Sequence, residues 1–409
     1  MLNSYGGKYL ETPNFNRLAE KSVQFNNHYI GSMPCMPARR DMHSGRLNFL
    51  HRSWGPLEPF DNSFPEILRN NKIYSHLVTD HYHYFEDGGA TYHNRFNSWD
   101  FIRGQESDPW KAMVQPPLEK FKTNYRGPRL DWPQYDKVKE TDDEVAELKA
   151  NYYALIGLCD YLLGKILDYF DEQNLWDNTA LILTTDHGFM LGEHDWWAKN
   201  RMPMYNEIAH IPLFIYHPEY KQYVGESRSA VTQNIDLMPT FLDMNNLNIP
   251  KEVKGKSLLD LLKKDSNIYT ALYGYWGGGI NITDGSYTYF HYPENFDQTS
   301  QDKFQYTLMP THMRHFFSNE ELRTIKIQEP FSFTKDIPVM KINRIQRKTD
   351  EGFKSLEDTK SALYNIIEDP GQLNPLQDQH LIIKLKEKMI SSIKENDPPK
   401  ELLANYFNI

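Results

Sequence analysis

The hydrophobic positions of residues 1–267 form short apolar runs that alternate with stretches of helical periodicity. The runs lie at residues 23–30, 73–80, 180–183 and 211–218. They are rich in β-branched and aromatic residues and end in polar turns, which is typical of buried strands. Helical spacing of apolar residues occupies residues 12–22, 63–71 and 234–247. This alternation predicts an α/β domain with a doubly wound mixed sheet flanked by helices.

A longer helix is predicted at residues 140–172. Its apolar positions recur at intervals of three and four residues, which predicts one buried face. The positions assigned to this face are Tyr152, Leu155, Ile156, Cys159, Leu162, Leu163, Ile166 and Phe170. Residues 99–135, before the helix, are rich in Trp, Pro and charge without a sustained period, and we interpret them as an irregular surface excursion.

The pattern changes after residue 268. Short strand-like segments there are separated by turns such as Asp284-Gly285, and an amphipathic helix is predicted at residues 377–394. We therefore divide the chain into an α/β domain at residues 1–267 and a smaller C-terminal α+β subdomain at residues 268–409. The aromatic residues between 273 and 333 either line a pocket or pack between the two parts.

Composition narrows the classes of function. The 409 residues carry a formal net charge of −10, so the chain has no basic surface that would predict a nucleic-acid partner. No apolar stretch is long enough for a membrane span and the first residues lack signal-peptide features, so we expect a cytoplasmic protein with no membrane partner. Two cysteines give no disulfide framework. Cys159 is predicted to be a small buried side chain.

Two local motifs carry candidate chemistry. Residues 35–39 read CMPAR and residues 43–46 read HSGR, in a turn where burial is a poor explanation for Cys35. Asp186 and His187 follow the third apolar run, and a carboxylate and an imidazole at a strand tip are suited to a divalent cation. The plain alternatives are a surface turn with a free thiol and an aspartate that caps a helix.

Together these motifs resemble the formylglycine-dependent sulfatases of the alkaline-phosphatase superfamily, whose signature is C-x-P-x-R followed by S/T-G-R. The resemblance implies that a sulfatase-maturing enzyme oxidises Cys35 to formylglycine (3-oxoalanine), whose hydrate is the nucleophile. It also implies that Arg39 stabilises this hydrate and that Asp186, His187 and residue 35 ligate the metal. Lys199, before the segment EIAHIPLFI, matches the family's lysine for the sulfate oxygens.

The same resemblance supplies candidates for the substrate pocket. Residues 80–83 read DHYH where the family often has GKWH, so His81 takes the place of the lysine and His83 that of the histidine. His83 is therefore predicted to be a general acid or a partner of the hydrate. His93 is a further candidate for the leaving-group acid, and His194 for the pocket wall. Residues 362–376 resemble the family's L-Y-D-L-x-x-D-P element.

The family also implies an alkaline-phosphatase-like fold and further metal ligands on an N-terminal apolar strand that ends in Asp. This sequence starts at MLNSYGGKYLETPN, and we interpret its start as an internal methionine or as loss of that strand. The expected cofactor is a divalent cation, with Ca²⁺ preferred over Mn²⁺, Mg²⁺ and Zn²⁺. The expected substrate is a small-molecule or saccharide sulfate ester.

Three hypotheses about function follow. The leading one is a sulfuric ester hydrolase with Cys35, Arg39, His83 and Lys199 as catalytic residues. The second is a phosphonate monoester hydrolase or phosphodiesterase of the same superfamily, which uses the same nucleophile. The third is an inactive truncated homologue with a binding or structural role.

Overall fold

The structure is a computed structural model that describes residues 1–86, 91–103, 115, 142–199, 202–266, 269–294, 296, 303–313, 315–344 and 358–409. The described strands are β1 (Val23–Tyr29), β2 (Ser32–Met33), β3 (His76–Thr79), β4 (Ser98–Phe101), β5 (Leu181–Thr184), β6 (Met190–Leu191), β7 (Trp197–Ala198), β8 (His210–Tyr216), β9 (Ser227–Gln233), β10 (Ala271–Tyr275), β11 (Ile280–Thr283), β12 (Tyr287–His291), β13 (Phe304–Thr307), β14 (Lys326–Gln328), β15 (Val339–Asn343) and β16 (Ala362–Asn365).

The α-helices of the same residues are α1 (Pro13–Lys21), α2 (Cys35–Ser44), α3 (Phe64–Asn70), α4 (Asp142–Glu172), α5 (Asn206–Ala209), α6 (Leu237–Met244), α7 (Leu259–Lys263), α8 (Asn319–Leu322), α9 (Gln379–Glu395) and α10 (Lys400–Phe407). Within the described ranges, none of these helices combines the length and the apolar character that a membrane span requires. Most of the predicted excursion at residues 99–135 lies outside the described residues.

The first sheet has the strand order β5–β8–β1–β9. β1 runs parallel to β9 and antiparallel to β8, and β5 is antiparallel to β8, so the sheet is mixed. Side chains of β8 alternate between the two faces. Phe214 packs with α1 and α4, whereas Leu213 and Ile215 pack with α6 and α7. Helices cover both faces of the sheet, which confirms the predicted α/β class.

A second sheet has the order β16–β12–β11–β10–β2. Its pairs are antiparallel except for β10–β2, which is parallel. The predicted terminal helix, α9, packs on this sheet through Leu385, Met389 and Ile393, in one buried cluster with Leu272. Because β2 comes from the N-terminal part of the chain, this sheet joins residues on both sides of position 267. The domain boundary at that position stays a prediction.

Smaller sheets complete the described architecture. β13, β15 and β14 form an antiparallel sheet, β3 and β4 form a parallel pair, and β6 and β7 form an antiparallel pair. The aromatic positions between 273 and 333 include several buried members of the hydrophobic clusters, namely Tyr273, Trp276, Tyr289, Phe290 and Tyr292. Packing in these clusters accounts for the burial of these aromatic residues.

The long helix α4 buries a narrower face than predicted. Leu163 and Phe170 are buried, but several positions assigned to the core are exposed, namely Leu155, Cys159, Leu162 and Ile166. The prediction for these positions, including burial of Cys159, is wrong. The reason is that α4 meets α1 partly through a polar contact, in which the Asp160 carboxylate accepts hydrogen bonds from the N–H groups of Asn14 (2.9 Å) and Phe15 (3.0 Å). The apolar residues on the other side of α4 therefore point away from α1.

A buried ion pair ties the segment after the signature to the C-terminal part of the chain. The side chains of Arg52 and Glu58 are both 0% exposed and form a salt bridge. Arg52 also donates to the hydroxyl of Thr307 in β13 and to the carbonyl of Thr311. Glu58 in turn accepts from the N–H of Leu308 (2.9 Å). The two charges therefore compensate each other, and distant residues of the chain complete their hydrogen bonds.

We expect Arg52→Leu to lower the free energy of unfolding by about 3–5 kcal/mol, because it leaves the Glu58 carboxylate buried without its cation. Arg17→Leu is the matched control, since Arg17 pairs with Asp168 and Asp171 near the surface. Arg17→Leu should lower the free energy of unfolding by less than about 1 kcal/mol. Urea denaturation followed by circular dichroism measures both changes, and similar losses in the two variants would contradict the assignment.

Candidate active site

Cys35 opens α2 directly after β2, and the buried carboxylate of Asp41 holds the backbone around it. Asp41 accepts hydrogen bonds from the N–H of Ser32 (2.6 Å), the Ser32 hydroxyl (2.9 Å) and the N–H of Asn48 (2.7 Å). A Cβ at Gly31 would lie 2.3 Å from Asp41 Oδ2, so only glycine permits this close approach. Burial raises the pKa of Asp41 to about 7. The position of Cys35 is thus set by a polar core beneath the turn.

The three arginines of the signature region have different partners. Arg40 forms a bidentate pair with Asp61, at 2.6 and 2.9 Å. The guanidinium of Arg46 lies 3.3 Å from the ring centroid of Phe333. Arg39 instead reaches Asp186, with 3.2 Å between Nη2 and Oδ2. Arg40 and Arg46 therefore stabilise the surrounding fold, and Arg39 contributes its charge to the site.

The turn after β5 presents Asp186 and His187. His187 Nδ1 donates to the carbonyl of Gly188 (2.9 Å). Because a carbonyl can only accept, the proton of the neutral ring is on Nδ1 and Nε2 carries the available lone pair. A Cβ at Gly188 would lie 1.9 Å from the carbonyl oxygen of Glu207, so any side chain there would displace the turn.

Cys35, His187 and Lys199 meet in one three-way contact. Sγ of Cys35 lies 3.4 Å from His187 Nε2 and 3.0 Å from Lys199 Nζ, and Nζ lies 3.0 Å from Nε2. Asp186 Oδ1 is 3.9 Å from the same Nε2. The structure therefore brings together predicted site residues from α2, from the turn after β5 and from the segment after β7, namely Cys35, Arg39, Asp186, His187 and Lys199. Their catalytic roles stay predictions.

Charges within this cluster compensate one another. Burial raises the pKa of the Cys35 thiol, but His187 and Lys199 outweigh burial and lower that pKa to about 6. Burial also opposes ionisation of Asp186, yet its neighbours hold its pKa below the usual range; they are His187, Arg39, Lys199 and His81. A thiolate and a carboxylate are stable together here because cations lie beside both.

His81 and His83 lie next to the cluster. Both are buried, and their ring centroids are 4.9 Å apart. His81 is close enough to Asp186 to lower the pKa of the Asp186 carboxyl. Nδ1 of His83 lies 2.8 Å from a carboxylate oxygen of Glu86, and its ring meets Trp54 edge to face at 4.8 Å. The structure thus gives His83 an acidic neighbour three residues further along the chain.

The other two predicted histidines have different surroundings. His93 donates from Nδ1 to the carbonyl of Tyr84 (2.8 Å) and stacks on Phe85 with 4.5 Å between centroids. These described contacts do not join His93 to Cys35, so its role as leaving-group acid has no support from the geometry. His194 stacks on Tyr205 at 3.6 Å, in a left-handed backbone conformation with φ of 53°.

Tyr84 is a site residue that sequence reasoning missed. Its hydroxyl accepts a hydrogen bond from Arg39 Nη1 (3.2 Å), and the guanidinium lies 5.4 Å from its ring centroid. Arg39 is therefore held between Tyr84 and Asp186. The only signal in the sequence was the position of Tyr84 directly after His83.

A buried chain of hydrogen bonds behind the turn was missed as well. Asn234 Nδ2 donates to the backbone carbonyl of Asp186 (3.0 Å), and Asn234 Oδ1 accepts from His28 Nε2 (3.2 Å). His28 Nδ1 then accepts from the Thr232 hydroxyl (2.9 Å). Burial lowers the pKa of His28 to about 3, so the ring is neutral at pH 7. This chain fixes the backbone that carries Asp186.

Three side chains could hold a metal ion together. Within the described residues, the donor atoms of Cys35, Asp186 and His187 lie within 4.8 Å of one another. The set offers sulfur, carboxylate oxygen and imidazole nitrogen, which fits a divalent cation that keeps further positions open. Ca²⁺ takes about six to eight oxygen ligands, so it would need oxygen donors beyond these three residues. The choice of Ca²⁺ stays a prediction.

Comparison with known proteins identifies the family. The sequence model of the Sulfatase family matches residues 1–116 and 120–247, which is more than half of the chain. The chain belongs to the sulfatase family. The match includes Cys35, Arg39, Asp186, His187 and Lys199, which are the residues that converge in the structure.

Individual relatives of this sulfatase-family chain cover parts of it. It is 36% identical over 340 residues to arylsulfatase K of Xenopus laevis, covering 62% of each protein. It is 36% identical over 115 residues to N-acetylglucosamine-6-O-sulfatase of Bacteroides thetaiotaomicron, covering 28% of this chain and 20% of that relative. The matches thus span less than two thirds of either relative.

A solved structure shares the fold across the whole chain. It is a protein in complex with its substrate D-glucosamine-2-N,6-O-disulfate, with a TM-score of 0.60 and 15% identity. The comparison covers 100% of this chain and 95% of the other. At this level of identity the likeness concerns the fold alone.

We expect the two thiols of unmodified protein to differ in the pH dependence of their alkylation. With a pKa of about 6, Cys35 should reach its full rate with iodoacetamide near neutral pH. The alkylation rate of Cys159 should still be rising above about pH 9, because partial desolvation of this mostly exposed thiol and the nearby Asp80 carboxylate raise its pKa above the usual value. Peptide mass spectrometry of protein kept in a chelator measures both rates.

Lys199→Met is the informative variant for this experiment, because it removes one cation beside Cys35 and should move the midpoint of that residue to higher pH. Cys159 serves as the internal reference in the same sample. One common midpoint for both thiols would show that the cluster does not stabilise the thiolate.

Proposed function

We propose that this chain hydrolyses sulfate esters with a nucleophile generated at position 35. The observation that carries the proposal is the contact among Cys35 Sγ, His187 Nε2 and Lys199 Nζ, at separations of 3.0–3.4 Å. It puts a nucleophilic position beside a cation and a potential metal ligand. Membership of the sulfatase family supports sulfate as the transferred group.

The proposed nucleophile is formylglycine, made from Cys35 by a sulfatase-maturing enzyme. Its hydrate supplies two hydroxyl groups on one carbon, so one can attack sulfur and the other can later expel sulfate by cleavage of the carbon–oxygen bond. The location of Cys35 at the start of α2, partly exposed and beside Arg39, supports this proposal. Arg39, held by Tyr84, would keep its charge close to the nucleophile during both steps.

Lys199 and Arg39 are the proposed cations for the substrate. Lys199 Nζ is 3.0 Å from the nucleophilic position, within reach of an oxygen on the attacked group. Arg39 already compensates Asp186 at 3.2 Å, so only part of its charge is available to a ligand. A sulfate ester carries one negative charge and a phosphate monoester carries two. The number of cations therefore favours the sulfate ester.

We assign proton transfer to His83, in agreement with its place in the family pattern. Glu86 lies 2.8 Å from His83 Nδ1, and a carboxylate at that distance holds the imidazole ring in one orientation. His81, beside Asp186, is proposed to contribute to substrate binding. His194 stays a candidate for the same role.

A divalent cation fits this proposal with Asp186, His187 and the oxygen of residue 35 as ligands. When bound, it would favour deprotonation of the nucleophile and polarise the sulfate group. The hydrogen bond from His187 Nδ1 to Gly188 directs the lone pair of Nε2 toward Cys35 and Lys199, where such an ion would replace the contact with the Lys199 ammonium. Asn234 would support the other ligand by holding the Asp186 backbone.

The proposed substrate class is a sulfated saccharide. The name of the relative N-acetylglucosamine-6-O-sulfatase and the substrate D-glucosamine-2-N,6-O-disulfate of the solved structure both support this class. The name arylsulfatase K supports testing aryl sulfates as well.

We expect Cys35→Ala and Asp186→Asn each to lower turnover of nitrophenyl sulfate by at least about a thousandfold, because the first removes the nucleophile and the second removes a proposed ligand of the metal ion. Cys159→Ala is the matched control, and it should keep the parental rate because Cys159 is exposed on α4. The measurement uses protein produced together with a sulfatase-maturing enzyme.

Mass spectrometry of the peptide that contains residue 35 tests the maturation in the same samples. Formylglycine should appear in active preparations, and full activity with an unmodified thiol would refute the nucleophile. Faster turnover of a phenylphosphonate monoester than of the aryl sulfate would instead favour the phosphonate hydrolase.

A further inference from the structure

The Lys199 ammonium lies between two potential metal ligands, in the place that a metal cation would take. Its ammonium lies 3.0 Å from Cys35 Sγ and 3.0 Å from His187 Nε2. Neither contact is with a carboxylate, which is the usual partner of a lysine in an ion pair. The ammonium therefore contacts one thiol sulfur and one imidazole nitrogen, and both of these atoms are electron-pair donors.

The donors are already oriented for coordination. The proton of the neutral His187 ring is on Nδ1, where it bonds to the carbonyl of Gly188, so Nε2 directs a lone pair at the same point as Sγ. Asp186 Oδ2 is engaged by Arg39 at 3.2 Å, which leaves Oδ1 facing Nε2 at 3.9 Å. One sulfur, one nitrogen and one oxygen thus lie within 4.8 Å of one another.

The spacing suits a small tetrahedral ion. Zn²⁺ binds sulfur at about 2.3 Å and imidazole nitrogen at about 2.0 Å, so two such ligands at a tetrahedral angle are about 3.5 Å apart. The observed separation of Sγ and Nε2 is 3.4 Å. Thiolate and imidazole ligands select Zn²⁺ and similar ions over Ca²⁺ and Mg²⁺, which prefer oxygen.

We propose that the unmodified chain is a zinc-binding form, in which Cys35 Sγ, His187 Nε2 and Asp186 Oδ1 hold Zn²⁺ and the Lys199 ammonium withdraws. Zn²⁺ binds the sulfur as a thiolate, and a proton carried by the thiol leaves to solvent. The fourth position is left to water. This inference concerns the chain before any conversion of Cys35 and does not depend on sulfate hydrolysis.

Binding of this kind has a consequence for maturation. A zinc-bound sulfur is shielded from reagents, so Zn²⁺ would protect Cys35 from oxidation and alkylation until the ion is removed. Conversion of the thiol to an aldehyde hydrate would replace sulfur by oxygen and remove the preference for Zn²⁺. This last step rests on the proposed function, whereas zinc binding itself does not.

Cobalt substitution tests the coordination directly. Unmodified full-length chain, produced without a maturing enzyme, is titrated with Co²⁺ and followed by absorption spectroscopy. We expect one equivalent to give a sulfur-to-cobalt charge-transfer band in the near ultraviolet and intense tetrahedral bands in the visible, both lost on addition of Zn²⁺. Cys35→Ser should abolish the charge-transfer band, and the matched variant Cys159→Ser should keep it.

Calorimetry and alkylation provide a second readout. We expect Cys35→Ser and Asp186→Asn each to weaken Zn²⁺ binding by at least about tenfold, and Lys199→Met to strengthen it because no ammonium must be displaced. Zn²⁺ should slow alkylation of Cys35 but not of Cys159, and Ca²⁺ at the same concentration should slow neither. Circular dichroism confirms that each variant is folded.

Two outcomes would overturn the proposal. One is a cobalt spectrum without a sulfur band in folded, unmodified protein. The other is a Zn²⁺ affinity that Cys35→Ser leaves unchanged while Cys159→Ser lowers it. Loss of sulfatase activity alone bears on the proposed function only, since these measurements use unmodified protein and no substrate.

Discussion

The site depends on compensation between buried charges of opposite sign. A thiolate at position 35 and the carboxylate of Asp186 lie a few ångströms apart, and each would be unfavourable there alone. Lys199 and Arg39, one beside each anion, make the arrangement stable. The fold must therefore bring two cations from distant segments to one point. The anchoring of α2 by Asp41 and the glycine-dependent turn at Gly188 both serve that requirement.

Much of the candidate site could be predicted because its parts are local in sequence. The turn at residues 35–39 and the pair after β5 depend on short motifs, and the family resemblance supplied their order along the chain. The apolar runs also predicted β1, β5 and β8 of the first sheet, and β8 buries alternating side chains between helical layers. They did not predict β9, and the run at residues 73–80 forms β3, which pairs with β4 in a separate sheet. For β1, β5 and β8, local pattern and tertiary environment agree.

The buried face of α4 and the polar contacts around the site could not be predicted, and the physical reasons differ. Apolar spacing on α4 fits more than one helix face, and the sequence could not show that Asp160 turns toward α1. Tyr84 and Asn234 act through contacts with residues far away in the chain. In the sequence, His28 is one polar residue within a predicted strand. Only the structure shows that it bonds to Asn234, which in turn bonds to the backbone of Asp186. Such long-range polar contacts leave no periodic signal.

The ion pair between Arg52 and Glu58 makes the C-terminal third of the chain indispensable to a site that it does not line. Thr307, Leu308 and Thr311 supply hydrogen bonds to these two charges. A chain that ends before β13 would lose those partners. The charged side chains of Arg52 and Glu58, which follow α2 closely in sequence, would then be exposed. Deletion of the C-terminal sheets would thus destabilise the segment after α2 and, through it, the position of Cys35. A fusion tag is better placed after Ile409, which is exposed, than before Met1, whose ammonium is partly buried.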